Sequence, residues 1–215
     1  MIKVKCSQLE GLRKNPLEFA RLLANNNLPK GGGVRGYFQR WQDEVRAVLR
    51  NEKSVREAKT DFAKVCAEKF SPTIENRKHE EKLQKAFDVF FKEYKSLNVK
   101  FQSTKKNISE HLHSNVLLTG SSPWITNGDD GYKLIFLTES KIEDWVDFLK
   151  YPIIQKHLAE TCFQCNTKDI TFYCYCVENN SFESYSYSDK EIKETVVEVK
   201  YLLSIVSNEY EKVKR

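Results

Sequence analysis

The stretch DDGYKLIFLTESK, residues 129–141, joins a turn to an apolar strand that ends in a glutamate and a lysine. The Asp-Asp-Gly start is typical of a tight turn. The β-branched and aromatic residues that follow predict a buried strand. On such a strand Glu139 and Lys141, two positions apart, would point to the same face of the sheet. The stretch therefore predicts one arm of a β-hairpin with a carboxylate and an ammonium side by side at its end.

Composition sets limits on the kind of protein. The chain has 215 residues, 40% of them hydrophobic and 12% aromatic, enough for a substantial core. A formal charge of +5, spread along the chain, permits a polyanionic partner without requiring one. No run approaches 18 apolar residues and the start lacks a signal-peptide pattern. We therefore expect no membrane contact and a cytoplasmic location with reduced cysteines.

The hydrophobic spacing changes near residue 97. Before it, apolar residues recur at helical intervals, as in IENRKHEEKLQKAFDVFFKEYKSL, and the glycine-rich LPKGGGVRGYF reads as a flexible loop. We predict a helical N-terminal region, residues 1–97, packed on an α/β core, residues 98–215, in one compact domain. Up to residue 97 no strand is expected.

After residue 97 the spacing alternates, which predicts strands in NVKFQSTKK, NVLLTG and YKLIFLTES. NGDDG is predicted to join the last two as a hairpin turn. Two short helices follow, KIEDWVDFLK and PIIQKHLAETC, the second with Pro152 at its first position. A further hairpin precedes a long last helix that opens with a Ser188/Glu191 capping box. The order indicates an α/β fold with a mixed central sheet flanked by helices.

A carboxylate and a lysine at a strand end suit metal-assisted phosphodiester hydrolysis. The acid can hold Mg²⁺, and the lysine can orient the attacking hydroxide and stabilise the charge on the phosphate. An E-x-K tripeptide alone is a weak signal, because most such tripeptides are solvated strand exits.

Five features together resemble the RecB-like branch of the PD-(D/E)XK nucleases, which includes the Cas4 proteins. They are SQLEGLRKNPLEF, similar to the family's opening helix pair; His79 early in an amphipathic helix; VLLTG, like the strand leading to the family's Asp; KLIFLTESK, like the E-x-K strand; and YPIIQKHLAE, like the following helix with its Gln. The resemblance runs over most of the chain and implies a restriction-endonuclease-like sheet.

The resemblance also implies roles for single residues. Glu139 would be a metal ligand, Lys141 a catalytic group, His79 an accessory metal ligand, and Gln155 a clamp on the substrate backbone or an organiser of the site. The cofactor would be Mg²⁺ or Mn²⁺. Without the family, His79 reads as a core or boundary histidine and Gln155 as a helix surface residue.

One departure from the family pattern concerns its second carboxylate. The family places an Asp on the hairpin partner of the E-x-K strand, where this chain reads TGSSPWIT, without any acid. The turn residues Asp129 and Asp130 lie too far from Glu139 along a regular strand, about 30 Å at about 3.3 Å per residue. The site either has lost a ligand or is a variant one in which Glu110 joins Glu139, Lys141 and His79.

Other patterns in the sequence are weaker indications of function. Cys162 and Cys165 form one C-x-x-C, which without a second pair does not predict zinc or an iron–sulfur cluster, and Cys174 and Cys176 alternate with tyrosines as strand residues do. There is no G-x-S-x-G and no P-loop. Basic residues interleaved with aromatics can track phosphates or can form the charged face of a half-buried helix. Such residues are Arg35, Arg40, Lys105 and Lys106.

Two functions fit these observations. The first is a metal-dependent deoxyribonuclease in DNA processing, repair or anti-invader defence. The second is a catalytically inactive nuclease-fold subunit that binds DNA or acts as a scaffold beside a protein partner such as a helicase. The missing Asp favours the second function, and the retained Glu139, Lys141, His79 and Gln155 favour the first.

Overall fold

A computed structural model describes residues 1–28, 36–103 and 105–214 of the chain. The predicted glycine-rich loop falls largely outside these residues. In the described part the α-helices are α1 (Leu9–Lys14), α2 (Pro16–Ala24), α3 (Tyr37–Leu49), α4 (Val55–Lys69), α5 (Ile74–Ser96), α6 (Lys150–His157) and α7 (Asp189–Lys214). The strands are β1 (Ile2–Lys5), β2 (Lys100–Ser103), β3 (Asn107–His113), β4 (Val116–Ser121), β5 (Trp124–Gly128), β6 (Gly131–Thr138), β7 (Ile170–Cys176) and β8 (Ser181–Tyr185). No described helix has the length and apolarity needed to cross a bilayer.

The strands form two mixed sheets flanked by helices, which confirms the predicted α/β class. A three-stranded sheet has the order β1-β4-β3, and a five-stranded sheet has the order β2-β5-β6-β7-β8. β1 runs parallel to β4 and β6 runs parallel to β7, while the other pairs are antiparallel. Because parallel neighbours need a crossover, the chain between β6 and β7 contains α6.

Strand β6 is buried on both faces and lies between two hydrophobic cores. Leu134 packs into a core with α1, α2, α6, α7 and the three-stranded sheet, whereas Ile135 packs into a core with α3, α4 and α5. A strand covered on both sides reads as a continuous apolar run, and this explains the sequence KLIFLT.

The hairpin differs from the prediction in its first arm. The turn at Asp129 and Asp130 is correct, but the strand paired with β6 is β5, with Trp124 opposite Ile135. The predicted arm NVLLTG is β4, which belongs to the other sheet. Pro123 stands between β4 and β5, and since proline has no N–H to donate, it interrupts continuous pairing along this segment.

Two further local predictions met different outcomes. The Ser188/Glu191 capping box is confirmed: the Glu191 amide donates to Ser188 Oγ at 3.3 Å and the Ser188 amide donates to Glu191 Oε2 at 2.8 Å. The expectation of no strand before residue 97 is wrong, because β1 pairs with β4. Four residues are too few for alternation to announce a strand, and the pairing partner is remote in sequence.

Candidate functional site

A cleft of about 570 Å³ opens where the two sheets meet, between the end of β1, helix α3, the β4–β5 connection, the end of β6 and the start of α6. Among the described residues, four basic side chains line it, from Lys5, Arg46, Lys105 and Lys150, and none of the described lining residues is an aspartate or a glutamate. Phe136, Tyr151 and Ile154 contribute an apolar floor. The volume is in the range of sites for small ligands or for a short part of a larger one.

Lys5 reaches the cleft because β1 ends directly beside the end of β4. The register pairs Lys5 with Thr119, and the chain then passes very close to Gly120. A Cβ atom on Gly120 would lie 2.9 Å from Cys6 Sγ, so any larger residue here would displace the Cys6 side chain. Burial raises the pKa of the Cys6 thiol to about 12, which keeps this cleft residue protonated and inert.

Lys105 is held at the rim by hydrogen bonds between its neighbour and the β4–β5 connection. The Ser122 amide donates to the Lys106 carbonyl at 2.8 Å, and the Lys106 amide donates to Ser122 Oγ at 2.8 Å. This pair fixes the segment before β3 against the connection. Lys105 is exposed beside it and lines the cleft.

Helix α3 closes another side of the cleft. The Arg46 guanidinium lies over the Trp124 ring at 5.4 Å, and Arg46 Nη1 is 3.4 Å from Asp43 Oδ1. Gln42 Nε2 donates to the carbonyl of Leu137, near the end of β6, at 3.4 Å. The guanidinium is therefore oriented by an aromatic face on one strand while its helix is tied to the next.

Lys150 is the first residue of α6, and its ammonium lies 4.5 Å from the centroid of the Tyr151 ring and 5.4 Å from that of Phe148. Burial lowers its pKa below the ordinary value of 10.5, and the more distant Glu10 carboxylate offsets this only in part. Glu10 Oε1 accepts the Leu149 amide at 2.7 Å. Within the described chain the Lys150 ammonium forms no ion pair.

The two predicted metal ligands meet outside this cleft. His79 Nε2, on α5, contacts Glu139 Oε1. The imidazole also lies 5.0 Å from the ring of Tyr37, which stacks on Phe70 at 3.8 Å. Both His79 and Glu139 are about one-third exposed, at 31% and 35%. The pair links the helical core to the chain that leaves β6.

The predicted shared face of Glu139 and Lys141 is wrong, because β6 ends at Thr138. Glu139 lies in a bend after the strand and Lys141 directly follows that bend, so strand alternation no longer sets the direction of either side chain. The Lys141 amide donates to Glu178 Oε2 at 3.0 Å, and Lys141 lines a small surface hollow with Glu143, Asp144 and Glu183. Its surroundings are acidic.

Gln155 is also placed differently from the prediction. It is fully buried and its amide nitrogen donates to the carbonyls of Thr167 and Tyr187, at 3.0 and 2.8 Å. Its amide oxygen accepts the Tyr187 N–H at 3.1 Å. Through these bonds Gln155 joins α6 to the segment that follows β8 and to the segment that precedes β7. Because its side chain is buried, a substrate has no access to it.

The remaining predicted residues lie in different places. Arg35 is outside the described residues, Arg40 lies over the ring of Phe70 at 5.7 Å, and Lys106 is exposed beside Lys105. Glu110 is not near Glu139 in the predicted variant site: it pairs at 2.5 Å with His157 of α6, on the side of the first core. Of the four predicted nucleic-acid contacts, Lys105 lines the cleft.

The described side chains do not fit a magnesium ion. Mg²⁺ demands near-octahedral oxygen coordination, usually with one or two carboxylates close together. Glu139 contacts an imidazole, and no group of three or more His, Cys, Asp or Glu side chains that could hold a metal occurs in residues 1–28, 36–103 and 105–214. The segment TGSSPWIT, where the resemblance implies an acid, contributes Ser121, Ser122 and Pro123 to the cleft.

Sequence reasoning missed Lys5, Arg46 and Lys150. They come from β1, α3 and α6, and only the tertiary fold brings them together. One local signal was present: Lys150 directly precedes the apolar run YPII, which marks a charge at the edge of the core. The segment KFQSTKK, predicted to contact nucleic acid, contains Lys105, which lines the cleft.

The chain fold is similar to that of a crystal structure named "Putative exonuclease", from Eubacterium rectale, with a TM-score of 0.56 and 10% sequence identity. The similarity covers 97% of this chain and 82% of that one. At this identity the likeness shows the fold alone. No protein-family model and no curated protein sequence matches the chain.

Proposed function

We propose that this protein has an exonuclease-like fold and uses its cleft to bind nucleic acid without cleaving it through a magnesium site of its own. One observation carries the proposal: in the part of the chain that the structure describes, the cleft is lined by four basic side chains and no carboxylate. Phosphodiester groups are the abundant cellular anions that such a set of cations would attract. This is the non-catalytic function that the missing hairpin acid favoured.

Charge balance around the cleft supports this proposal. In the described chain Lys5, Lys105 and Lys150 form no ion pair, and Arg46 has only the 3.4 Å contact with Asp43. Cations held close together without counter-ions repel one another, and an incoming phosphate relieves that repulsion. The free energy of binding is then largest at low salt.

The test measures DNA binding and cleavage in one protein preparation. Fluorescence anisotropy with labelled single- and double-stranded DNA should show binding that weakens as salt rises. Neutralising two rim lysines together, Lys5→Met with Lys105→Met, should lower the affinity roughly tenfold. The matched control is Lys190→Met with Lys212→Met, which removes two exposed lysines of α7 that do not line the cleft. Equal loss in both double variants would contradict the proposal.

A second function rests on the contact between His79 and Glu139. If this pair recruits a divalent cation together with the substrate, the protein is a metal-dependent deoxyribonuclease. Cleavage in Mg²⁺ or Mn²⁺ that disappears in Glu139→Ala would establish it. Salt-dependent binding without cleavage in either metal would support the non-catalytic function instead.

A further inference from the structure

We infer that Lys150 is the anchor of a subsite for a phosphate monoester inside the cleft. This inference rests on the proposed function, because it names the group that the same cleft would recognise. The phosphate belongs either to the end of a nucleic-acid strand or to a free nucleotide, and both sources offer the same chemistry to the lysine.

The first argument is the position of Lys150 relative to the rim. Lys5 and Lys105 are exposed, whereas Lys150 is half-buried beside the buried residues Tyr151 and Ile154. An internal phosphodiester has chain on both sides, and both arms would have to leave the cleft. A terminal phosphate needs only one exit, so it can reach a recessed cation.

The second argument is that Lys150 is a desolvated charge that forms no direct ion pair with the described residues, although Glu10 offsets part of its desolvation. Aromatic faces of Phe148 and Tyr151 lie beside the ammonium at 5.4 and 4.5 Å, and they solvate it less well than water does. A phosphate monoester carries a charge of about −1.5 to −2 at pH 7, more than a diester, and therefore compensates more of the positive charge in the cleft.

The third argument is the floor next to the lysine. Phe136 is only partly buried and stacks on Tyr151 at 4.8 Å, so an apolar face borders the cation. A sugar or base attached to the phosphate can lie against that face while the phosphate contacts Lys150. A cleft of about 570 Å³ has room for such a unit, whereas inorganic phosphate would leave the apolar floor uncovered.

The experiment compares one short single-stranded oligonucleotide with and without a 5′-phosphate, and also with a 3′-phosphate, by competition binding. The intact chain should bind one phosphorylated form about tenfold more tightly than the unphosphorylated one. Lys150→Met, which keeps a long apolar stem against Tyr151, should abolish that preference, and Lys150→Arg should retain most of it. Lys105→Met should weaken binding of all forms by a similar factor.

A second arm uses a nucleoside monophosphate and a matched nucleoside in thermal unfolding. A rise in Tm with the monophosphate alone, absent in Lys150→Met, supports the subsite even if no oligonucleotide binds, and in that case the proposed function fails while the subsite stands. Oligonucleotide binding that shows no preference for a terminal phosphate and no response to Lys150→Met overturns the subsite and leaves the proposed function intact.

Discussion

The cleft and the His79–Glu139 contact both lie at the end of β6, and they differ in how their charges are balanced. Lys5, Lys105 and Lys150 face the cleft without ion pairs in the described chain, whereas Glu139 already has the imidazole of His79 beside it. Charges that are left unbalanced by the fold remain available to a ligand. The comparison therefore favours the cleft as the site of the proposed binding and favours a structural role for the pair, between the helical core and the end of β6.

The largest effect we expect concerns Gln155, whose three hydrogen bonds support the wall that carries Lys150. Gln155→Met removes the donor and acceptor but keeps the length, so Tyr187 is left with unpaired buried backbone groups and Thr167 with an unpaired, partly buried carbonyl. The free energy of unfolding should fall by about 3 kcal/mol in urea denaturation. Gln39→Met on the exposed face of α3 is the control. If Gln155→Met kept its stability and lost DNA affinity, Gln155 would instead contact the substrate, as the family resemblance implies.

The second prediction compares the two regions directly through two exposed lysines. Lys105→Glu should weaken DNA binding about tenfold, near 1.4 kcal/mol, because the cleft rim loses a cation and gains an anion. Lys141→Glu should change affinity less than about twofold, since Glu143 and Asp144 already surround that position. Binding isotherms at one fixed salt concentration measure both. If Lys141→Glu weakened binding more than Lys105→Glu, the DNA-binding surface would lie at the segment after β6 and not at the cleft.

The third prediction concerns the pair itself. His79→Gln and Glu139→Gln should each lower the free energy of unfolding by less than about 1 kcal/mol, because both side chains are about one-third exposed at 31% and 35%. DNA affinity should stay unchanged in both variants. Thermal unfolding with and without Mn²⁺ supplies the decisive check: a metal-dependent rise in Tm that only the unsubstituted pair shows would make it a metal site.

Local chemistry explains which parts of the fold the sequence could predict. The turn before Gly131 and the capping box of Ser188 and Glu191 depend on a few adjacent residues, and both are correct. The Glu139/Lys141 prediction failed because it required the strand to continue past Thr138, a boundary set by tertiary contacts.

The cleft could not be predicted from the sequence, for a related reason. Its basic residues lie at positions 5, 46, 105 and 150, and the parallel pairing of β1 with β4 brings the first of them into place. Neither a periodicity nor a motif joins such distant positions. Lys105 could be singled out only because basic and aromatic residues are adjacent in its own segment.

The smallest expected effect is a change in the pH dependence of stability caused by Lys150. Burial lowers its pKa in the folded chain below the ordinary 10.5, so between these two values the unfolded chain binds more protons than the folded one. The contribution of this group to the free energy of unfolding must then rise with pH across that alkaline window. Below that pH window the charged, buried lysine destabilises the fold.

Lys150→Met should therefore be more stable than the unsubstituted chain at neutral pH, and the difference in the free energy of unfolding should shrink as pH rises through the folded pKa. Urea denaturation at pH 7 to 10 measures the difference, and a Lys150→Met variant that is less stable at pH 7 would mean that the ammonium has a counter-charge and is not free for a ligand.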